Sequence, residues 1–181
     1  LSVRQMEAVE ESQVVLISGA GLEDFMSDVL SHAKTVVDCS KGIDLLENSE
    51  GTDPHIWLDP ARAQQMVDNL TAGLTAVYPE HEAAFAENAT VLKARLQALD
   101  EAGKKALSDI SCGELIPFHD GFGYLASHFD LTILAAIEEE AGAEASAASL
   151  TEIIDLVKAH NLPAVFTEAN GSGAAASVVE A

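Results

Sequence analysis

Basic residues are scarce in this sequence: nine Lys and Arg stand against 30 Asp and Glu, for a formal net charge of -21. A surface of this sign repels phosphate backbones and anionic lipid headgroups and attracts cations. We therefore expect neither nucleic acid nor acidic substrates as partners. A role in solubility alone would explain the same charge.

Cysteine and long apolar runs are also scarce. Cys39 and Cys112 are the two cysteines, and they form no CxxC pair, which excludes cysteine zinc sites and thioredoxin chemistry. Two buried thiols are the first expectation, and a disulfide is the alternative. No apolar stretch approaches the roughly 20 residues of a membrane helix, and no signal-peptide pattern is present. Because the chain opens on Leu1 and not on Met, we expect a processed or trimmed product.

Short apolar runs alternate with helical spacing in the first part of the chain. Residues 14–18 and 35–38 are predicted to be buried parallel strands, with a helix at residues 22–30 between them. The crossover of this unit is expected to be right-handed. Gly19-Ala20-Gly21 lacks the rest of a dinucleotide fingerprint, so we interpret it as a tight turn. The flanking segments are predicted to be a partial helix at 2–11 and a polar loop at 41–52.

Two amphipathic helices follow, one after Asp59-Pro60 and one from Glu80 to about Ser108. Some 25 residues at 1.5 Å each would span about 38 Å, which suits a rigid strut joining two lobes. A coiled-coil arm or a bundle helix is the alternative. Beyond it, strands are predicted at 114–118, 131–137 and 164–167, with helices at 122–129 and 149–160, the latter opened by a capping box at Ser149–Glu152.

The pattern predicts an α/β fold with two lobes of parallel sheet and flanking helices, joined by one long rigid helix. We place the N-terminal lobe at residues 1–78, the linking helix at 79–109 and the C-terminal lobe at 110–181. Both lobes are expected to be incomplete in this chain.

One stretch, Asp53-Pro54-His55-Ile56-Trp57-Leu58-Asp59-Pro60, contains the only Trp and two of the five Pro. Each proline biases the preceding Asp away from the α region, so His55 lies on a short, stiff, extended piece. Asp59 can cap the next helix, with Pro60 at its first position. The stretch is either a metal-ligand loop or a Trp-anchored loop whose His only bonds its neighbours.

Two further candidate residues directly follow predicted strands, where ligands of open α/β sheets bind: His119 and Glu168. If the halves face each other, these residues converge with His55 in a cleft. Neutral imidazole suits zinc and related transition metals. Asp59 and Asp120 are expected to accept hydrogen bonds from the ligand imidazoles. For His119 alone, a bond to a loop carbonyl is an equally common arrangement.

The other histidines are predicted to lie at the surface or near helix ends, and they are His32, His81, His128 and His160. The chain has no nucleophile elbow and no HExxH motif, so common serine-hydrolase and zinc-protease sites are excluded.

Two segments carry a family resemblance. Asp53–Pro60, followed by a helix, resembles the DPHxWLDP segment of metal-specific solute-binding proteins of bacterial ABC importers, the zinc and manganese uptake proteins of the Znu, Tro and Psa kind. Phe118–Ala126 resembles their HDAFGYFA segment. Ser18–Glu23, Val37–Ile43 and Phe166–Ala169 fall in the expected order, so the resemblance covers nearly the whole chain.

The resemblance implies two α/β lobes tied by one long helix, with a metal buried between them. It implies His55 and His119 as ligands, and His at the second position favours zinc, with manganese as the alternative. Glu168 matches the family's EPQ segment only in its Glu, which places it near the site. The implied function is metal capture for delivery to an ABC permease. The protein would perform no reaction and would lie outside the cytoplasm, in the periplasm or as a lipoprotein.

Departures from the family pattern matter as well. Family members carry a further His ligand ahead of Leu1 and an Asp ligand beyond Ala181. We therefore expect a fragment with half of the coordination sphere and impaired metal binding. Exposed sheet edges would favour a homodimer.

Two other functions are carried as alternatives. One is a metal-dependent hydrolase with Glu168 as its general base. The other is an acidic surface adhesin or interaction module without metal. If His55 and His119 bind one zinc ion, their imidazoles must lie within roughly 4 Å of each other.

Overall fold

The structure, a computed structural model, describes residues 2–48, 51–138 and 146–166. The chain divides into two compact units, the first of Leu1–Leu45 and Ile56–Ala102 and the second of Leu46–His55 and Gly103–Ala181. Each unit contains a parallel pair of strands together with helices, which confirms the predicted α/β class. Leu46–His55 belongs to the second unit although it precedes the long helix in sequence. The lobe boundaries given above stay a prediction.

The first unit begins as the apolar runs predict. Its two strands pair in parallel, with Val15 opposite Val36 and Ile17 opposite Asp38. The helix between them is shorter than predicted, since its first turn is a 3-10 turn at Asp24–Met26. The elements of this unit, in chain order, are α1 (Val3–Glu11), β1 (Val15–Ile17), α2 (Ser27–Leu30), β2 (Val36–Asp38), α3 (Pro60–Val77) and α4 (Glu82–Leu107), whose residues 103–107 belong to the second unit.

The two long helices lie where the sequence predicts them, which confirms that expectation. α3 starts at Pro60 because Asp59 is its N-cap and accepts from the N–H groups of Ala61 at 2.7 Å and Arg62 at 3.3 Å. α3 packs on β2 through Gly73, where an added Cβ would lie 2.5 Å from the Val37 methyl groups. The missing side chain therefore lets the helix backbone approach the strand.

The loop after β1 is a tight turn, as its composition predicts. Gly19–Gly21 all have positive φ, at 84°, 56° and 85°. The N–H groups of Ser18 and Gly19 donate to the two carboxylate oxygens of Glu23, at 2.8 and 3.0 Å. The turn thus presents two adjacent backbone N–H donors, and the Glu23 carboxylate accepts from both. Such charge-assisted bonds are among the stronger hydrogen bonds in proteins.

The two cysteines are free thiols, and Cys39, directly after β2, is buried while Cys112 is partly buried. Burial raises the pKa of the Cys39 thiol above its ordinary value, and the carboxylates of Asp38 and Glu23 raise it further. The predicted pair of unbonded thiols is confirmed, with Cys112 less buried than expected.

We expect Cys39 to react with iodoacetamide more slowly than Cys112 at pH 8, because Cys39 is the more buried thiol and its raised pKa keeps it protonated. The folded chain keeps the Cys39 proton at pH values where the unfolded chain releases it. Its contribution to stability therefore falls as the pH rises past the ordinary thiol pKa of about 8.5. Mass spectrometry of alkylated peptides over time measures the alkylation rates of Cys39 and Cys112. Alkylation of Cys39 as fast as that of Cys112 would contradict the expectation.

The core of the second unit includes the buried residues Ile116–Phe118, which directly follow the strand Glu114–Leu115. Its core cluster consists of Ile116, Phe118, Ile137, Ile153 and Leu162. The elements, in chain order, are β3 (Glu47–Asn48), β4 (Gly51–Thr52), β5 (Glu114–Leu115), α5 (Gly123–His128), β6 (Thr132–Ile133) and α6 (Ala147–His160). β5 and β6 pair in parallel, and β3 and β4 pair antiparallel.

Several boundaries differ from the sequence-based expectations. The strands predicted at 114–118 and 131–137 have two residues each, and residues 164–166 form no strand, although the Phe166 N–H donates to the Ile116 carbonyl at 3.0 Å. The segment predicted to be a polar loop, 41–52, contains β3 and β4. Among the described helices, none combines the length and apolar character that crossing a membrane requires.

The capping box predicted at Ser149 is wrong. α6 begins at Ala147, and the Ser146 hydroxyl caps it by accepting from the Ser149 N–H at 3.1 Å. Alanine at the next two positions favours helix, which allows the helix to start earlier. The predicted end at His160 is confirmed.

Candidate metal site

His55 is held by the carboxylate of Asp53, two residues before it. Asp53 Oδ1 accepts the backbone N–H of His55 at 2.9 Å and lies 2.7 Å from its Nδ1. A carboxylate that bonds the backbone two residues on is an Asx turn, and Pro54 stiffens it. Since a carboxylate accepts, we assign the imidazole proton to Nδ1. The lone pair of His55 is therefore on Nε2.

The imidazole of His119, in the same unit, lies next to Nε2 of His55. His119 directly follows the buried Phe118, at an isolated parallel bridge between His119 and Glu138. Its Nε2 lies 3.4 Å from Nε2 of His55, and the ring centroids are 5.2 Å apart with the planes inclined at 53°. The distance is inside the 4 Å limit expected for two ligands of one ion.

The separation of the two nitrogens fits zinc. Two Zn–N bonds of about 2.0–2.1 Å at a tetrahedral angle place their nitrogens about 3.3 Å apart. The observed 3.4 Å agrees with this geometry, and it is long for a direct hydrogen bond between nitrogens. The positions of the two Nε2 atoms therefore fit those of two ligands of one cation.

Gly121 leaves the space in which the two rings meet. A Cβ there would lie 2.4 Å from Nε2 of His119 and 2.9 Å from Cε1 of His55. The Gly121 N–H donates to the His119 carbonyl at 2.9 Å, which folds the backbone against the imidazole. Gly121 stands where the HDAFGYFA segment has Ala, and here the two imidazoles occupy that room.

The carboxylates predicted to support the imidazoles are placed differently. Asp59 lies in the first unit, caps α3 and pairs with Arg62, while Asp120 accepts from the Asn48 side chain at 3.1 Å through its backbone carbonyl. Glu168 lies outside the described residues. The support of ligand imidazoles by Asp59 and Asp120, and the place of Glu168 near the site, stay predictions.

The carboxylate that does contact His55, Asp53, had no assigned role in the sequence-based prediction. The signal that could have identified it is its position two residues before His55, across a proline, where Asp commonly forms an Asx turn.

The other histidines lie apart from this pair. His32 and His81 are exposed, and His128 and His160 are the last residues of α5 and α6, as predicted. His160 Nδ1 lies 3.1 Å from a Glu114 carboxylate oxygen. Within residues 2–48, 51–138 and 146–166, no group of three or more His, Cys, Asp or Glu could hold a metal ion. The described site therefore supplies two donors, whereas protein zinc sites use three or four.

Comparison with known proteins gives this geometry a context. The family model described as ZnuA, zinc-uptake complex component A, periplasmic, matches residues 1–181. The zinc-binding lipoprotein AdcA of Streptococcus pneumoniae serotype 4 is 35% identical over 127 residues, covering 70% of this chain and 25% of the relative. The high-affinity zinc uptake system protein ZnuA of Bacillus subtilis is 33% identical over 147 residues, covering 73% of this chain and 46% of the relative.

The chain thus spans about a quarter to a half of the length of these curated relatives. Among solved structures, a crystal structure of ZnuA superposes with a TM-score of 0.89 at 27% identity, covering 98% of this chain and 71% of that one. Because the family model matches over the full length given and the fold agrees, the chain belongs to the family of periplasmic zinc-uptake complex component A, ZnuA.

Proposed function

We propose that the chain captures a divalent transition metal, zinc in preference to manganese, through Nε2 of His55 and Nε2 of His119. The metal is cargo, which passes on to the membrane permease of an ABC importer. One observation carries the proposal: the two nitrogens, 64 residues apart in sequence, lie 3.4 Å from each other, the spacing of two ligands on one zinc ion.

The chemistry of the donors supports zinc over manganese. Imidazole nitrogen suits zinc and copper, whereas manganese, magnesium and calcium prefer carboxylate, carbonyl and water oxygens. Manganese also stands lowest among the divalent first-row metals in affinity for a given nitrogen site. The net charge of -21 attracts every cation and gives no selectivity.

The similarity to zinc uptake proteins supports a place outside the cytoplasm, in the periplasm or at the outer face of the membrane as a lipoprotein. We further propose that the protein performs no reaction. The family match to a zinc-uptake component supports this proposal, and the hydrolase alternative, whose general base would be Glu168, stays a prediction. A homodimer through exposed sheet edges stays a prediction.

Calorimetric titration of the chain with zinc, manganese and calcium at pH 7.5 tests this function. We expect one zinc ion per chain, bound at least tenfold more tightly than manganese, and no calcium binding, because the donors are nitrogens. With two described donors, the zinc affinity is expected to be weaker than submicromolar. Absence of saturable zinc binding, or equal affinities for zinc and manganese, would contradict the proposal. A submicromolar zinc site would contradict only the expected weakness.

A further inference from the structure

Tyr124 is fully buried near the start of α5, with a hydroxyl that makes two hydrogen bonds inside the second unit. The hydroxyl donates to the Asp53 carbonyl at 2.8 Å and accepts from the Leu46 N–H at 2.9 Å. Since burying a hydroxyl without a hydrogen bond costs free energy, these two contacts offset the cost of burying it. The Asp53 N–H in turn donates to the Leu46 carbonyl at 2.8 Å. Tyr124 therefore holds the backbone of both Leu46 and Asp53, the two residues that this last hydrogen bond joins.

The Asp53 carboxylate is enclosed by the same part of α5. A Cβ on Gly123 would lie 3.0 Å from Asp53 Oδ2 and 3.8 Å from a Leu46 methyl group. The helix start thus lies directly against the carboxylate, and Asp53 is 1% exposed. The carbonyl is held by Tyr124 and Oδ2 is enclosed by the helix start, and in this position Oδ1 bonds His55.

We propose that Tyr124 is a positioning residue of the metal site: it fixes Asp53 and, through Asp53, the Nδ1-protonated tautomer and ring direction of His55. The inference rests on the proposed function, because the ring direction matters only if Nε2 binds an ion. The route from Tyr124 to His55 that the structure shows runs through the backbone of Asp53. Partners that orient a metal-binding imidazole are typically worth 10- to 100-fold in affinity.

The test replaces one hydroxyl. In the full chain, Tyr124→Phe keeps the ring that fills the core and removes the two hydrogen bonds. We expect the zinc affinity, measured by competition with a chromogenic chelator, to fall about 10- to 100-fold. We also expect nitrogen-15 spectra of the metal-free variant at pH 8 to show a mixture of His55 tautomers. Tyr78→Phe is the matched control, since Tyr78 is the C-cap of α3 in the first unit and its replacement should change neither measurement.

The two measurements separate this inference from the proposed function. If the unaltered chain binds no zinc through His55 and His119, the proposed function fails, and the tautomer spectra of metal-free protein still decide the role of Tyr124. An unchanged Nδ1-protonated His55 in Tyr124→Phe overturns the inference, as does an unchanged affinity for zinc where the parent binds it.

If Tyr124→Phe fails to fold, the inference can still be tested on the unaltered chain, by measuring the exchange rate of the Tyr124 hydroxyl proton. A slowly exchanging Tyr124 hydroxyl proton close to the Asp53 backbone and the Leu46 amide supports the inference. A rapidly exchanging hydroxyl proton overturns it.

Discussion

Replacing either His55 or His119 with alanine is expected to lower the zinc affinity of the chain by about 100-fold or more, since even the partners that merely orient a ligand are worth 10- to 100-fold. Each imidazole supplies one of the two described donors, and their Nε2 atoms are 3.4 Å apart. Removing one leaves a single nitrogen among the described donors, which is expected to bind zinc no better than a surface histidine does. The double variant should therefore be little weaker than either single variant.

Calorimetry of the two single variants and the double variant measures this effect. His160→Ala is the matched control, because it removes an imidazole from the same unit that pairs with Glu114 and not with the His55–His119 pair. Circular dichroism establishes that each variant is folded. If zinc affinity drops equally in His160→Ala, or survives in both single variants, His55 and His119 are not the ligands.

Gly19→Ala is expected to reduce the free energy of unfolding by about 2–5 kcal/mol, which combines the cost of a left-handed backbone with that of overpacking. Gly19 has a φ of 84°, and an added Cβ would lie 2.0 Å from Asp38 Oδ1 and 2.3 Å from Ser40 Oγ. These two atoms are hydrogen-bonded to each other at 2.7 Å, and the Ser40 hydroxyl also accepts from the Ala20 N–H. The added methyl group must disrupt both bonds.

Gly42→Ala separates the two costs. Gly42 has a comparable φ of 74°, and nothing lies within 4 Å of its added Cβ. It should therefore show only the conformational cost, about 1–2 kcal/mol. Urea unfolding of both variants, followed by circular dichroism, gives the difference. Equal losses in the two variants would mean that the crowding at Gly19 is relieved without cost.

Local chemistry made several elements predictable from the sequence. Asp59-Pro60 determines the start of α3 because an Asp cap and a Pro at the first position both act within one turn. The pairing of Val15–Ile17 with Val36–Asp38 follows from two apolar runs with a helical segment between them. His55 and His119 were singled out by the motifs around them, and their meeting is a matter of tertiary structure that the resemblance implied.

Other features depend on contacts between residues that are remote in sequence. The bond from Tyr124 to Asp53 joins residues 71 positions apart, so no local pattern could indicate it. The assignment of Leu46–His55 to the second unit has the same origin, since its partners lie beyond the long helix. The wrong cap at Ser149 has a local cause. Ser146 and Ser149 can each cap a helix, and the alanines after Ser146 favour the earlier start that the structure has.

The placement of both imidazoles in one compact unit bears on how quickly an ion could be handed over. If zinc binds as proposed, the two described nitrogens would take two positions of its tetrahedron, and water or other donors would take the remaining two. Incoming donors could occupy those remaining positions before either imidazole lets go. Zinc would then depart by associative ligand exchange, at a rate that grows with the concentration of the acceptor.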